Sequence, residues 1–197
     1  GKKIILVNCS GSPIGLEPET QKCEAILQAW YPGQQGGKAV AEVLFGDYNP
    51  AGKLPVTFYR NVSQLPDFED YNMTGRTYRY MQDVPLFPFG YGLSYTTFGY
   101  GKTVLDKNEL TAGQSLKLTV PVTNTGKRNG EEVVQVYLRK QGDAEGPIKT
   151  LRAFKRVSIP AGKTVNVEFD LKDKELEWWD AQSNTVRVCP GNYDIMV

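Results

Sequence analysis

The sequence predicts an α+β protein in three parts. A partial α/β-sandwich segment is expected over residues 1–58, a long aromatic-rich connecting segment over residues 59–100, and an immunoglobulin-like antiparallel β-sandwich over residues 101–197. Two observations carry most of this prediction. Residues 4–7 form a continuous apolar run, which is typical of a strand covered on both faces. Residues 165–171 alternate apolar and polar side chains, which is typical of a strand with one buried face.

The first segment is predicted to contain one strand, two helices and a further short strand. Apolar side chains recur at helical spacing over residues 20–31, and Pro32-Gly33 follows as a stop signal. A second helix is predicted over residues 38–45, with Gly46 at its C-terminal end. Residues 54–59 are predicted to form the second strand. These elements are too few for an independent α/β sheet, so the segment is expected to be a piece of a larger domain.

The connecting segment is unusually aromatic. Residues 58–100 hold 12 of the 19 Phe and Tyr side chains of the chain, and Pro and Gly interrupt every periodic pattern there. Two interpretations fit this composition. The favoured one is a long connection held in place by aromatic rings instead of by backbone pairing. The other is a surface on which aromatic faces stack against the C–H faces of sugar rings.

The last segment has the pattern of a β-sandwich. Alternating apolar side chains recur in several short runs, and turn-forming residues such as Asn129-Gly130 and Ala161-Gly162 separate these runs. Six or seven short strands in a segment of this length are typical of an immunoglobulin-like fold. This segment is therefore expected to be the part that folds alone.

Composition excludes several classes of function. The chain has no histidine, which excludes Ser-His-Asp and Cys-His catalysis and every His-ligated metal site. Its three cysteines are too few for a four-cysteine zinc site, so neither a metal nor another cofactor is expected. The 23 basic and 22 acidic residues nearly cancel, and neither half has the basic excess typical of nucleic-acid or membrane-surface binding.

Both ends of the chain lie in strand-like stretches, residues 4–7 and 192–197. Natural domains seldom begin and end without polar flanking residues, so the sequence is expected to be a fragment of a longer protein. The strand at residues 4–7 and the neighbouring helices would then lack sheet partners. The exposed apolar surface favours a dimer formed through this truncated α/β segment.

Two loops in the first segment contain residue types that can bind or react. The Gly-rich stretch 33–38 lacks the spacing of a phosphate-binding loop, and a flexible connection between helices is favoured. The stretch 8–12 follows the first strand, where open α/β sheets place ligand sites, but it has no histidine base and is interpreted as a structural turn. Cys9 and Cys23 are able to form a disulfide, which would leave Cys189 unpaired. The sequence fits this pairing and three free thiols equally well.

Three carboxylates, Asp67, Glu69 and Asp70, lie close together in the aromatic-rich segment. A pair of carboxylates is the requirement for glycoside hydrolysis. Residues so close in sequence seldom flank a sugar ring, however, so a solvated loop is favoured, with Arg76 or Arg79 as ion-pair partners. Asn-x-Ser/Thr sequons, which matter only in a glycosylating secretory pathway, occur at three positions: Asn8, Asn61 and Asn72.

Several longer strings resemble glycoside hydrolase family 3. The Gly75-Arg76-Thr77-Tyr78-Arg79-Tyr80 string is most similar to the β-xylosidase branch of that family. Strings in the last segment resemble the fibronectin type III-like domain at the C-terminal end of its members. The strings are residues 25–34, 36–37, 43–57, 70–80 and 85–98, followed by residues 122–126, 130–137 and 151–157.

The resemblance implies the C-terminal part of an exo-acting, retaining β-glycosidase that acts on plant-type oligosaccharides. The catalytic Asp of this family lies on an N-terminal (β/α)8 barrel, and its acid/base Glu lies ahead of the matching region. No position of this sequence matches either motif, so no catalytic residue is assigned and the substrate-binding residues are unknown. The expected partners are the barrel domain and, through the parent enzyme, an oligosaccharide. Export to the periplasm or the extracellular space is expected. The alternative to the glycosidase interpretation is a non-catalytic carbohydrate-binding or structural module.

Overall fold

The computed structural model describes all 197 residues and divides into two compact units, Gly1–Leu93 and Ser94–Val197. The predicted division placed residues 59–100 between two domains. In the structure, the part of that segment up to Leu93 clusters with the first unit, and the remainder clusters with the second. No helix combines the length and the apolar character that a membrane-spanning segment requires.

The first unit contains a two-stranded parallel sheet. Strand β1 (Ile5–Asn8) pairs with β2 (Ala25–Gln28), and helix α1 (Glu17–Lys22) lies between them in the chain. The start of α1 has a proline in its first turn and two acidic side chains, which suit the free N–H groups and the positive end of the helix dipole. No residue of β1 is fully buried, although its apolar run is typical of a strand covered on both faces.

The predicted helix over residues 20–31 is wrong. The chain leaves α1 at Lys22 and enters the parallel strand β2, whose backbone bonds continue beyond the strand: Ala29 N donates to the Asn8 carbonyl at 2.8 Å. Short apolar runs fit a helix and a strand equally well when only their spacing is known. Pairing with β1 resolves this ambiguity, and it depends on residues some 20 positions away.

The remaining elements of the first unit are short. Helix α2 (Gly36–Phe45) confirms the second predicted helix, and Gly46 ends it in the left-handed region with φ of 82°. The predicted strand over residues 54–59 is wrong, since only an isolated bridge between Phe58 and Phe87 forms there. A 3-10 turn (Val62–Gln64) and helix α3 (Thr77–Tyr80) complete the unit.

The second unit is an antiparallel β-sandwich, as predicted. In one sheet the central strand β5 pairs with β3, β4 and β8, and in the other β6 lies between β7 and β11. Strands β9 and β10 form a separate hairpin, and helix α4 (Asp173–Leu176) precedes β9. The strand bounds are β3 (Phe98–Tyr100), β4 (Val104–Leu105), β5 (Leu116–Asn124), β6 (Gly130–Lys140), β7 (Thr150–Ile159), β8 (Thr164–Leu171), β9 (Trp178–Asp180), β10 (Thr185–Arg187) and β11 (Tyr193–Met196).

The core of the sandwich comes from the alternating side chains of its long strands. On β5 and β8 the inward positions are paired across the ladder, for example Leu118 opposite Phe169 and Val120 opposite Val167. The ten buried residues of this core are Leu116, Leu118, Val120, Val122, Val134, Val136, Ile159, Val167, Phe169 and Leu171. A second, smaller cluster forms where Trp178 packs on Leu138 and Cys189.

One buried polar side chain ties three segments of the sandwich together. Asn124 is fully buried and accepts hydrogen bonds from Thr96 Oγ1 at 2.6 Å and from Gly126 N at 3.1 Å. Its side-chain amide donates to the carbonyls of Arg128 and Ile159, at 2.8 and 2.9 Å. All hydrogen-bonding atoms of this amide are therefore used, which explains why the side chain can be buried.

Candidate functional site

Two of the strings that resemble the family, residues 43–57 and 85–98, contact each other in the first unit. Leu54 N donates to the Tyr91 carbonyl at 2.8 Å, and Lys53 Nζ donates to the Gly92 carbonyl at 2.9 Å. A Cβ atom on Gly92 would lie 2.1 Å from the carbonyl oxygen of Gly52, so this approach requires glycine. These residues have a structural role, since they join two segments nearly 40 positions apart.

Several rings of the aromatic-rich segment pack against other aromatic rings. Phe58 is 1% exposed and makes edge-to-face contacts with Trp30 and Phe87, with ring centroids 6.2 and 6.4 Å apart. Tyr78 and Phe89 stack with centroids 4.1 Å apart. For these rings the structure supports the first of the two interpretations, a connection held in place by aromatic packing.

Residues 67–76, here named the aromatic loop, are organised around one arginine. The guanidinium of Arg76 donates to the carbonyls of Asn72 at 3.0 Å and Asp67 at 3.3 Å, and also to the carbonyl of Asp70. The predicted ion pair with a carboxylate is replaced by these bonds to main-chain oxygens. A single side chain thus holds both ends and the middle of the loop.

The three carboxylates of the loop are not arranged as a catalytic pair. Asp67 Oδ1 accepts from Glu69 N at 2.9 Å, and Asp70 Oδ1 accepts from the main-chain and side-chain amides of Asn72 at 2.9 and 2.7 Å. The bond from the Asn72 backbone is the main cause that lowers the pKa of Asp70 below its ordinary value of 3.8. A carboxyl that loses its proton so readily is a poor general acid, and the solvated-loop interpretation fits its geometry.

Two rings of the aromatic loop point away from any packing. Phe68 is 91% exposed and Tyr71 is 89% exposed, in contrast to the buried Phe58. The composition of the segment did not separate these two rings from the others. Both rings stand in the polar run Asp67–Asn72, but the packed Tyr78 also stands between Thr77 and Arg79, so local sequence does not distinguish exposed from packed rings.

The loop is anchored at its end by a constrained residue. Thr77 has φ of 58°, an uncommon backbone conformation for a β-branched residue, and its N–H donates to Tyr59 Oη at 2.8 Å. Tyr59 also lines a neighbouring cleft of about 380 Å³, at whose edge Arg60 and Glu17 form an ion pair at 3.0 Å. The cleft is lined by Pro13, Ile14, Gly15, Glu17, Pro18, Tyr59, Arg60, Asn61, Val62 and Leu65.

The stretch 8–12 is a hydrogen-bonded turn. The side-chain amide of Asn8 donates to Gln28 Oε1 at 2.5 Å and to Ser10 Oγ at 2.9 Å, which links the carboxyl ends of β1 and β2. Ser10 Oγ itself donates to the Ser12 carbonyl at 2.8 Å. The polar groups at this strand end are therefore used for structure, as the turn interpretation predicted.

The remaining motifs also have structural surroundings. Cys9 is exposed, Cys23 half-buried and Cys189 buried, and all three are free thiols, so the Cys9–Cys23 pairing does not form. The Gly-rich stretch leads into α2, with Gly36 N donating to the Gly33 carbonyl at 3.1 Å. Asn61 Oδ1 accepts from Ser63 N and caps a 3-10 turn. No group of three or more Cys, Asp or Glu side chains is placed to hold a metal ion.

Two family models match the chain. The glycosyl hydrolase family 3 C-terminal domain matches residues 1–95, and the fibronectin type III-like domain matches residues 132–197. The first match covers the sheet, the helices and the aromatic loop of the first unit. The second covers β7 to β11 and nearly all of β6.

Similar proteins are longer than this chain. A xylan 1,4-β-xylosidase of Xylanibacter ruminicola is 58% identical over 100% of the chain and 22% of that protein. A periplasmic β-glucosidase of Salmonella typhimurium is 38% identical over 100% of the chain and 27% of that protein. The solved structure of a β-glucosidase from Erythrobacter marinus has a TM-score of 0.84 and 42% identity, covering 98% of this chain and 26% of that one. The chain spans about a quarter of these relatives and belongs to glycoside hydrolase family 3, of whose members it represents the C-terminal part.

Proposed function

We propose that this chain is part of an exo-acting, retaining β-glycosidase that releases terminal xylose from xylan-derived oligosaccharides. The observation that carries the proposal is the 58% identity to a xylan 1,4-β-xylosidase along the whole chain, compared with 38% for a β-glucosidase. The Gly75–Tyr80 string, most similar to the β-xylosidase branch, supports the same sugar. Retention of configuration is what the family resemblance implies, with one carboxylate as nucleophile and the other as acid/base.

The role we assign to the chain itself is structural. Its candidate carboxylates accept hydrogen bonds from main-chain N–H groups in turns of the aromatic loop, and Gly92 permits close packing of main chain. We therefore place the nucleophile and the acid/base in the part of the relatives that this chain does not span. The partners in this proposal are the (β/α)8 barrel domain and, through it, the oligosaccharide.

The proposal is tested by comparing two proteins on two substrates. The 197-residue chain and the whole enzyme that contains it are each assayed with 4-nitrophenyl β-D-xylopyranoside and with the matching β-D-glucopyranoside. We expect the whole enzyme to prefer the xyloside in kcat/KM and the chain alone to release no nitrophenol. A preference for the glucoside would contradict the assigned sugar, and release by the highly purified chain would contradict the structural role.

The whole enzyme is proposed to be exported, to the periplasm or the extracellular space. The support is a relative described as a periplasmic β-glucosidase, which is 38% identical over the whole chain. Cell fractionation with an antibody raised against residues 101–197 tests both size and location. We expect a band several times larger than 22.0 kDa in the periplasmic or medium fraction, and a cytoplasmic band would contradict export.

For the chain produced alone, we propose a dimer formed through the first unit. Ile4 and Ile5 are about half exposed, and Phe45 at the end of α2 is 84% exposed, which leaves apolar surface beside an unextended two-stranded sheet. Sedimentation velocity tests this. We expect concentration-dependent dimers that Ile5→Lys disrupts, and a monomer at all concentrations would contradict the proposal.

A further inference from the structure

We propose that the aromatic loop is a binding site for a neutral xylan-type oligosaccharide, contacted through the rings of Phe68 and Tyr71. The inference rests on the proposed function for the class of sugar. It goes beyond that function because it assigns a ligand contact to the chain itself.

The first support is the exposure of the two rings. Phe68 and Tyr71 are 91% and 89% exposed, whereas Phe58, Phe87, Phe89 and Tyr78 pack against other rings of the same unit. A ligand that covers an exposed aromatic ring removes its apolar face from water, which is favourable. A flat aromatic face suits the C–H face of a pyranose ring.

The second support is that the loop is already ordered. Arg76 donates to three main-chain carbonyls of the loop, and Asp67 and Asp70 each accept a main-chain N–H two residues on. The bond from Thr77 N to Tyr59 Oη fixes the end of the loop to the body of the unit. A ligand therefore meets rings on a fixed backbone, which reduces the entropy lost on binding.

The third support is the chemistry beside the rings. Asp67, Glu69 and Asp70 flank Phe68 and Tyr71, and the lowered pKa of Asp70 keeps its carboxylate charged. Carboxylates accept hydrogen bonds from sugar hydroxyls, and they repel phosphorylated or acidic ligands. Protein interfaces are depleted of charged residues at their centres, because burial of unpaired carboxylates is costly. A neutral polyhydroxylated ligand fits this combination better than a protein surface.

The experiment is isothermal titration of the complete 197-residue chain with xylohexaose at millimolar concentration. Phe68→Ala and Tyr71→Ala are the test variants, and both side chains are so exposed that the fold should be unaffected, which circular dichroism checks. Phe154→Ala, at a ring 68% exposed in the second unit, is the matched control. We expect each test variant to weaken binding about fivefold or more, the double variant to abolish it, and the control to bind as the unchanged chain does.

Three results would overturn the proposal. They are no binding of xylohexaose to the unchanged chain, equal binding by the double variant, and tighter binding of cellohexaose than of xylohexaose. If the double variant binds the sugar normally but lowers the thermal stability of the whole enzyme, the loop contacts another part of that enzyme instead. Failure of the proposed function is a separate result, because it is measured on nitrophenyl glycosides, which have a single sugar ring.

Discussion

The two units of the chain differ most in the apolar side chains they bury. Residues Gly1–Leu93 bury only four hydrophobic side chains, Leu16, Ala51, Phe58 and Met81, whereas Ser94–Val197 bury fourteen. The lengths of the two units are similar. Since hydrophobic burial is the main contribution that offsets chain entropy, the second unit is expected to be the more stable of the two.

The sheets show the same contrast. Strand β5 has partners along both edges, and β8 pairs with it over eight residues. Strand β1 has β2 as its one neighbour, over four residues, and a two-stranded sheet is at best marginally stable in water. A match to a family model therefore does not show that the matched segment folds independently, because the first unit matches such a model and yet lacks a large core.

The largest expected effect comes from separating the units. We expect residues 94–197 alone to unfold cooperatively on heating, and residues 1–93 alone to lack a cooperative transition, because few apolar side chains there leave water. Differential scanning calorimetry of the two fragments checks this. A sharp transition in residues 1–93 would break the comparison and would show that the aromatic packing around Phe58 is enough to stabilise that unit.

The second effect concerns the buried amide of the sandwich. Asn124→Ala leaves Thr96 Oγ1, Gly126 N and two carbonyls without this partner, so we expect the free energy of unfolding to fall by about 3 kcal/mol. Urea denaturation of the full chain measures it. Asn108 is exposed, so Asn108→Ala is the control, and its free energy of unfolding should change by no more than about 0.5 kcal/mol. Equal changes for both variants would contradict the structural role of Asn124.

Two glycine substitutions test the packing of the first unit, with opposite expected signs. A Cβ on Gly92 would lie 2.1 Å from the Gly52 carbonyl oxygen, so Gly92→Ala should destabilise the unit by about 2 kcal/mol. Gly37 lies in α2 and an added Cβ there meets nothing within 4 Å, so Gly37→Ala should stabilise by about 0.5 kcal/mol. Hydrogen exchange of first-unit amides reports both, and protection that moves the same way in both variants would be inconsistent with this packing.

The smallest effect is a local acid titration in the second unit. The hydrogen bond from Ser183 Oγ, followed by that from Arg187, lowers the pKa of Asp180 from 3.8 to about 2. Because the folded pKa is depressed, the stabilisation of the β9–β10 hairpin is present above about pH 4 and is lost as the pH falls through about 2. NMR titration should show a higher pKa for Asp180 in Ser183→Ala. An unchanged pKa in that variant would exclude Ser183 as the main cause.

Sequence patterns predicted the second unit better than the first, for a physical reason. The alternation at residues 165–171 reappears as the inward and outward positions of β8, because one face of that strand packs on the core. In the first unit, residues 20–31 show helical spacing but contain the end of α1 and the strand β2. There the pairing with β1 overrides the local pattern, and spacing alone does not contain that information.

The same contrast between local sequence and tertiary contacts applies to the candidate site. The sequence identified the aromatic-rich segment and its three carboxylates, and the motif strings identified the family. It did not separate Phe68 and Tyr71 from the ten other Phe and Tyr side chains of residues 58–100, since exposure depends on what packs against each ring. Nor did it show that Arg76 binds carbonyl oxygens and not carboxylates.

By itself, the sequence determined the sandwich, the second helix with its glycine stop, and the family, because each of these depends on residue order over short distances. Tertiary structure decided the parallel strand β2, the need for glycine at Gly92 and the exposure of Phe68 and Tyr71. The physical reason is that hydrogen-bond partners, close approach of main chain and loss of contact with water all depend on residues that are distant in the chain and adjacent only in the fold.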